Sequence, residues 1–226
     1  MYFTRIPKLV QRMYPDMVWR MQEDKPRIYL TFDDGPCPKI TAWVLEQLAA
    51  YQAKASFFVI GKNVQQHPGL AHAILDAGHT LGNHMHDHLH GWRTDTKSYL
   101  KNFLQAQQII AEYTGCSTRL FRPPYGRMTQ AQRYHIDRSH RILMMDVISG
   151  DFDRKRNGKQ CFETVKRHSR SGSILLFHDS EKAWPRLKEA LPQTLAYFSE
   201  KGYEFLALPD KELKPLDAPE LPLGVH

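Results

Sequence analysis

The feature that most constrains this chain is a repeated exchange of two periodicities. Short, β-rich apolar runs alternate with amphipathic stretches of helical spacing through most of its length. "IYLTFDD" at 28–34 reads as a strand, and "KITAWVLEQLAAYQ" as the helix after it. "SFFVIG" and "PGLAHAILDAG" repeat the pair, and "HTLGNH" makes a short third strand before the long helix "TKSYLKNFLQAQQIIAEY", begun near Thr94. "STRLF", "RILMMDV", "SILLF" and "YEFLAL" supply four more strands, the last reached through the helix "RLKEALPQTLAYFSEKG" that Gly202 ends. Strands separated by helices pair in parallel, because each helix carries the chain back across the sheet. About seven such units, without repeat or linker, predict a single α/β domain of barrel type, and 226 residues suffice for one core of that kind. The expected organisation is an amphipathic segment over 1–27 packing on the barrel, the barrel over 28–208, and a Pro-rich tail over 209–226.

Polar residues fall at the ends of these strands. Asp33 and Asp34 end the first, His84 and His88 follow the third, Arg122 follows the fourth, Asp151 follows the fifth, and His178 ends the sixth. In a βα barrel the carboxyl ends of the strands share one face, and that face carries the chemistry. The stretch "GNHMHDHLHGW" raises the question of a metal, and histidine clustering alone does not answer it. His84 and His88, four apart, offer two nitrogens to one ion, and either Asp33 or Asp34 completes a two-histidine, one-carboxylate set. The other aspartate is then left beside the ion as a base for water, whose pKa a divalent metal lowers to near 7. His178, aligned by Asp151, suits an acid for the leaving group, and backbone N–H groups of the "RPPYG" turn suit an oxyanion. Each motif alone has a blander reading. "DDGP" and "RPPYG" are good turn chemistry, and Asp179 or Ser180 suits a cap for the next helix. Convergence on one face favours the chemical reading. His86 and His90 are expected to be non-ligands.

Composition enters mainly as exclusion. With 42% hydrophobic and 24% charged residues the chain is not a disordered one. Its net charge of +7, gathered around 127–141 and 154–170, favours polyanions, but no nucleic-acid motif accompanies it and no nucleic-acid partner is expected. Cys37, Cys116 and Cys161 form no C-x-x-C pair, so neither a disulfide framework nor a thiolate zinc site is indicated. Arg5, Lys8 and Arg12 interrupt the apolar core a signal peptide needs, and no apolar run spans a bilayer. A cytoplasmic or peripherally membrane-associated protein is therefore expected, with no obligate protein partner. Ile6, Leu9, Val10, Met13 and Met17 recur at helical spacing among basic residues; packing on the domain is the expectation, and contact with an anionic membrane the alternative.

At these residues the chain resembles the NodB-like polysaccharide deacetylases, carbohydrate esterase family 4. "TFDDGP" is similar to their first motif, "HMHDH" to H-[ST]-x-x-H, "RPPY" to R-x-P-Y, "ISGDF" to a weakened D-x-x-D-W and "LFH" to L-x-H, in family order over 28–178. The resemblance implies a distorted (β/α)7, TIM-like barrel and metal-dependent hydrolysis of N-acetyl or O-acetyl groups on sugars. It implies Asp34, His84 and His88 as metal ligands, Asp33 as general base, Arg122 positioning Asp33, His178 as general acid and Asp151 tuning His178. The Tyr125 backbone N–H would join the oxyanion site, and Leu176, Phe152 and Pro124 would wall an apolar acetyl pocket. Zinc is the expected ion, with Co²⁺, Ni²⁺ or Mn²⁺ as alternatives. The expected activity is a hydrolase of linear amides, deacetylating N-acetylglucosamine glycans of peptidoglycan or chitin type. O-acetylated glycans, a small amide or formamide, or glycan binding with weak catalysis are the alternatives.

Three positions depart from the family pattern. Met85 replaces a hydroxyl residue that steadies the histidine loop, which puts metal affinity at issue. Ile148 replaces the first Asp of the fourth motif, and Phe152 replaces its Trp, keeping an apolar wall without the indole N–H. Cys37, directly after the first motif, is expected to be a passive small residue, with a point of oxidation as the alternative.

Overall fold

The computed structural model describes residues 3–210. The almost continuous burial of the first strand, β1 (Arg27–Asp33), reflects its central place. Ile28, Leu30 and Phe32 face the helices and pack with Val44, Leu48, Leu187 and Leu191. Tyr29 faces the other way, into a cluster with Phe58, Leu120, Leu143 and Leu176, and Thr31 and Asp33 share its side of the strand. Both faces are thus buried, as parallel sheets covered by helices require.

A short helix, α1 (Lys8–Met13), precedes β1. After it come α2 (Ile40–Ala50), β2 (Ser56–Val59), α3 (Gly61–Gln66), α4 (Pro68–Asp76), β3 (Thr80–Asn83) and α5 (Thr96–Thr114). The chain continues through β4 (Leu120–Phe121), α6 (Gln130–Ile136), β5 (Arg141–Ile142), β6 (Val147–Ile148), α7 (Gly158–His168), β7 (Ser173–His178), α8 (Trp184–Glu200) and β8 (Glu204–Leu206). The sheet runs β5-β4-β3-β2-β1-β7-β6, all its pairs parallel, and β8 pairs with the first half of β1. This is a parallel sheet curled into a distorted barrel and flanked by helices, as expected. Helix starts are sequence-encoded: the Asp95 side chain accepts from Ser98 N–H ahead of α5, and capping boxes at Thr129/Gln132 and Asn157/Gln160 open α6 and α7.

One expectation is corrected, and one alternative reading falls. "RILMMDV" is not one strand: it splits into β5 and β6, with Leu143–Asp146 irregular between them. The buried Arg122 guanidinium takes the Leu143 carbonyl through Nε (3.0 Å) and the Met144 carbonyl through Nη2 (3.0 Å), so these acceptors serve a side chain rather than a ladder. Asp179 does not cap α8, whose N-terminus has no side-chain cap; Asp179 is buried and accepts from the Thr41 hydroxyl at 2.6 Å.

The amphipathic stripe of the N-terminal segment divides. Met17 and Trp19 are buried with Ile6 and Val10 packed against their cluster, whereas Leu9 and Met13 are exposed. Among the described residues no helix is long and apolar enough to cross a membrane. The tail expected over 209–226 lies outside the described residues from 211 onward.

Candidate active site

The parallel register brings the first and last polar strand ends side by side, with Asp33 opposite His178 on β7 and opposite Phe58 on β2. His84 follows β3, held by its N–H to the Val59 carbonyl, and Arg122 follows β4 through its N–H to the Asn83 carbonyl. The sequence-expected residues therefore meet on one face, as barrel geometry demands.

Asp33 is set by one buried cation. Arg122, fully buried, gives Nη1 to Asp33 Oδ1 at 2.7 Å and to the Thr31 hydroxyl at 2.8 Å, while Nε and Nη2 are anchored on backbone carbonyls. Its Cζ lies 4.0 Å from the centre of the Phe58 ring. That ring has room only because residue 82 is glycine: a Cβ there would come within 2.5 Å of Phe58. Gly82, Phe58, Arg122 and Asp33 thus form one chain of contacts in which the carboxylate has a single orientation. Asp33 Oδ2 remains, 3.8 Å from His84 Nε2.

Beside it, Asp34, His84 and His88 bring one donor atom each within 4.8 Å of one another, a candidate metal-ligand cluster. Asp34 Oδ1 lies 3.1 Å from His88 Nε2 and 3.7 Å from His84 Nε2. The donor set fits a divalent cation. His84 Nδ1 is 2.7 Å from the Arg122 carbonyl, an atom that only accepts, so the ring proton sits on Nδ1 and the Nε2 lone pair faces Asp34. Burial lowers the His84 pKa to about 4, which keeps the imidazole in the neutral form that ligates. Burial works against charge on Asp34, but the His88 contact and the imidazoles around it outweigh burial and hold the carboxyl well below the usual range.

The loop bearing the histidines is strained and clamped. Asp34, Met85, His88 and Tyr125 all have left-handed backbone (φ 79°, 69°, 55° and 60°), four of the six such non-glycine residues among those described. Left-handed non-glycine backbone costs of order 1 kcal/mol or more per residue and persists where surrounding contacts impose it. Here the contacts are explicit: Asn83 Oδ1 accepts the Met85 N–H at 2.8 Å, and Asn102 Oδ1 accepts the His86 and Asp87 N–H groups. The first two amides of α3 donate to the Met85 and His86 carbonyls. Met85 itself is buried in an apolar cluster with Tyr99, Phe103 and Phe121, so the missing hydroxyl is replaced by side-chain amides elsewhere. His86 and His90 stand outside the metal cluster; His86 is buried, and His90 stacks on Tyr125 with ring centres 5.0 Å apart.

On the other side, His178 Nδ1 is 2.8 Å from Asp151 Oδ1, and the His178 N–H donates to Asp151 Oδ2 at 2.8 Å. Arg186 Nε donates to the Asp151 carbonyl at 2.7 Å. Burial opposes charge on His178, but the Asp151 carboxylate and its hydrogen bond, with Asp34 and Asp33 behind them, raise the pKa to about 9. Phe152 meets the His178 ring edge-to-face at 5.2 Å, Leu176 and Pro124 are buried, and the Tyr125 ring is exposed against His88. Ile148 pairs with Leu176 and donates its N–H to the Thr4 carbonyl, far from an acidic role. Asp179, under Gly35, is raised by burial to about 8 and stays neutral beside Asp33 and Asp34. Burial, with Glu181 and Asp179, pushes the Cys37 thiol up, which removes the thiolate on which easy oxidation depends.

Sequence reasoning missed Thr31, Asn83, Asn102, Arg186 and helix α3. The available signal was polar residues inside apolar periodic stretches, as with Asn83 in "HTLGN" and Asn102 in "YLKNFL".

A family profile described as polysaccharide deacetylase matches residues 20–139. The peptidoglycan-N-acetylglucosamine deacetylase PgdA of Listeria monocytogenes is 34% identical over 182 residues, covering 80% of this chain; the chain spans only 38% of that protein's length. The chitooligosaccharide deacetylase of Azorhizobium caulinodans is 31% identical, with 78% of this chain and 87% of that protein covered. The structure of peptidoglycan deacetylase PdaC from Bacillus subtilis superposes with a TM-score of 0.75 at 30% identity, over 83% of this chain and 90% of that one. The chain belongs to the NodB-like polysaccharide deacetylases, carbohydrate esterase family 4.

Proposed function

We propose that this protein is a metal-dependent deacetylase that hydrolyses N-acetyl groups on N-acetylglucosamine-containing glycans of peptidoglycan or chitin type, releasing acetate. The observation that carries this reading is the division of labour among three adjacent groups. Asp34, His84 and His88 bring donor atoms together, Asp33 is held beside them by Arg122, and His178 is paired with Asp151. A divalent ion on those three side chains supplies Lewis acidity to the scissile carbonyl and to water. Zinc suits two imidazoles and a carboxylate, as do Co²⁺, Ni²⁺ and Mn²⁺.

Asp33 is the general base: with Oδ1 fixed on Arg122, Oδ2 takes a proton from the attacking water. Arg122 is a positioning residue, as is Asp151. His178, with Nδ1 turned to Asp151, presents Nε2 as the acid that protonates the departing sugar amine. The Tyr125 backbone N–H, set by its left-handed conformation, stabilises the oxyanion. Leu176, Phe152 and Pro124 enclose the acetyl methyl group. The names of the Listeria and Azorhizobium relatives support a glucosamine-type glycan as substrate. The barrel over 28–208 is the catalytic unit in this reading.

The test is acetate release by the zinc-loaded protein from N-acetylglucosamine oligomers and peptidoglycan fragments, with acetylated xylan alongside and Asp33→Asn as control. Release from the amide substrates that Asp33→Asn abolishes is the expected result. Release from xylan alone would replace the amide reading by an ester one, and no release despite bound metal would overturn both.

A further inference from the structure

The barrel has a second polar end. At the amino ends of the strands the N-terminal segment crosses the sheet, Arg5 bridging to Val147 at the start of β6 and Arg20 to Ser173 at the start of β7. Between this segment and the turn before β7 lie two adjoining cavities, of about 520 Å³ and about 360 Å³, both lined by Lys8, Gln11 and Arg170. Arg12 and Arg20 line the larger and Arg5 the smaller. No ion pair serves Arg5, Lys8, Arg12, Arg20 or Arg170 among the described residues. Glu23, the one carboxylate in the lining of either cavity, is engaged by Arg27 and the Tyr29 hydroxyl. The Nε atoms of Arg20 and Arg170 are buried without a hydrogen-bond partner. Such crowding of guanidiniums is unfavourable in isolation, and an anion with several oxygens relieves it, phosphate geometry matching the guanidinium fork.

The surface beside the cavities is apolar. Leu9 is 71% exposed and Met13 64%, although an amphipathic helix normally packs such a stripe away. Cations interleaved with exposed apolar side chains on a short surface helix match the interface of an anionic bilayer, where headgroup phosphates meet the former and acyl chains the latter. We infer that this end of the barrel docks on an anionic phospholipid surface, with a lipid phosphate seated in the cavity between Arg20 and Arg170 and with Leu9 and Met13 inserted beside it. The seven residues of β1 separate this end from Asp33 by roughly 20 Å, so docking would leave the candidate active site facing away from the bilayer. The inference stands independently of the deacetylase reading.

Sedimentation of the full chain with vesicles tests it, comparing pure phosphatidylcholine with phosphatidylcholine carrying about a third phosphatidylglycerol. Binding only to the anionic vesicles, stripped by 1 M salt on the order expected from screening, is the expected result. Arg20→Gln with Arg170→Gln lowers the bound fraction roughly tenfold or more, and Leu9→Ser with Met13→Ser, at exposed positions where folding is not at stake, also lowers it. Unchanged melting of the arginine variant shows that its loss is not unfolding. Several outcomes overturn the inference: equal binding to both vesicle types, no binding, or loss only in the Leu9/Met13 variant. Displacement by millimolar inorganic phosphate at constant ionic strength would assign the cavity to a soluble phosphate instead. A dimer in vesicle-free solution that Leu9→Ser with Met13→Ser abolishes would assign the face to a second copy.

Discussion

The two ends of this barrel handle charge in opposite ways. At the carboxyl ends of the strands every ionisable group implicated in chemistry has a named opposite: Asp33 has Arg122, His178 has Asp151, and Asp34 has two imidazoles. At the amino ends five cations line cavities with no ion pair among the described residues. A charge with an internal partner is fixed in orientation and aimed at a bound molecule; a charge without one projects its field outward. The first arrangement suits a reaction that needs atoms held in place, the second a surface that needs only an anionic neighbour.

The largest effect is expected where the internal pairing is completed by an ion. His84→Ala or Asp34→Ala removes one of the three proposed ligands and should abolish both metal retention and activity, a loss on the order of 10³-fold or more. His86→Ala should spare both, because His86 stands outside the cluster. Metal content by elemental analysis alongside acetate release decides the matter; full activity in a metal-free His84→Ala protein would break the assignment.

Next comes the Asp33–Arg122 pair. Arg122→Met leaves a buried carboxylate without its cation and should cost roughly 3–5 kcal/mol in urea unfolding. Arg122→Lys should recover only part of this, since an ammonium cannot reach Asp33, Thr31 and two carbonyls at once. A Lys variant as stable and active as the parent would show that the fork geometry is dispensable.

The third effect is a pH dependence. The His178 pKa is raised from 6.5 to about 9, so the ion pair with Asp151 contributes its stability fully below about pH 6.5 and loses it as pH rises through 9. In the proposed reaction His178 is the general acid and must also be protonated, so its contribution to rate should fade in the same direction. Asp151→Asn should return the His178 resonance of the metal-free protein toward ordinary values in an NMR titration and lower turnover on the order of 10²-fold. A His178 titration unmoved by Asp151→Asn would separate the two residues.

Much of the catalytic end was legible because its logic is that of strand ends. Short apolar, β-rich runs locate β1, β3 and β7, and the polar residues at or just past their ends, Asp33, His84 and His178, must then share a face. What the one-dimensional pattern lacked was the side-chain reach across the sheet. "RILMMDV" has the apolar content of one strand, yet Arg122, 21 and 22 residues earlier, takes two of its carbonyls and divides it. Met85 similarly suggested a weakened loop, because the amides of Asn83 and Asn102 that hold it lie on β3 and α5, outside the motif. The amino end was legible only as composition: Arg5, Lys8 and Arg12 are plain in the sequence, but their meeting with Arg170 across more than 150 residues is a product of the fold.

The smallest effect sharpens the comparison most, because its sign reverses. Removing a charge at the catalytic end destabilises, but at the opposite end it should relieve repulsion. Burial lowers the Arg170 pKa, Arg20 and Arg5 lower it further, and Asp146 offsets them only in part. Arg170 is half-buried and its charge is partly screened by solvent, so Arg170→Gln should stabilise by no more than a few tenths of a kcal/mol, a melting rise of about one degree. Turnover of a soluble oligosaccharide should stay within about twofold, since roughly 20 Å exceeds the Debye length at physiological salt. A melting temperature that falls by several degrees would mean that Arg170 has a partner it needs within the fold, and the contrast between the two ends would fail.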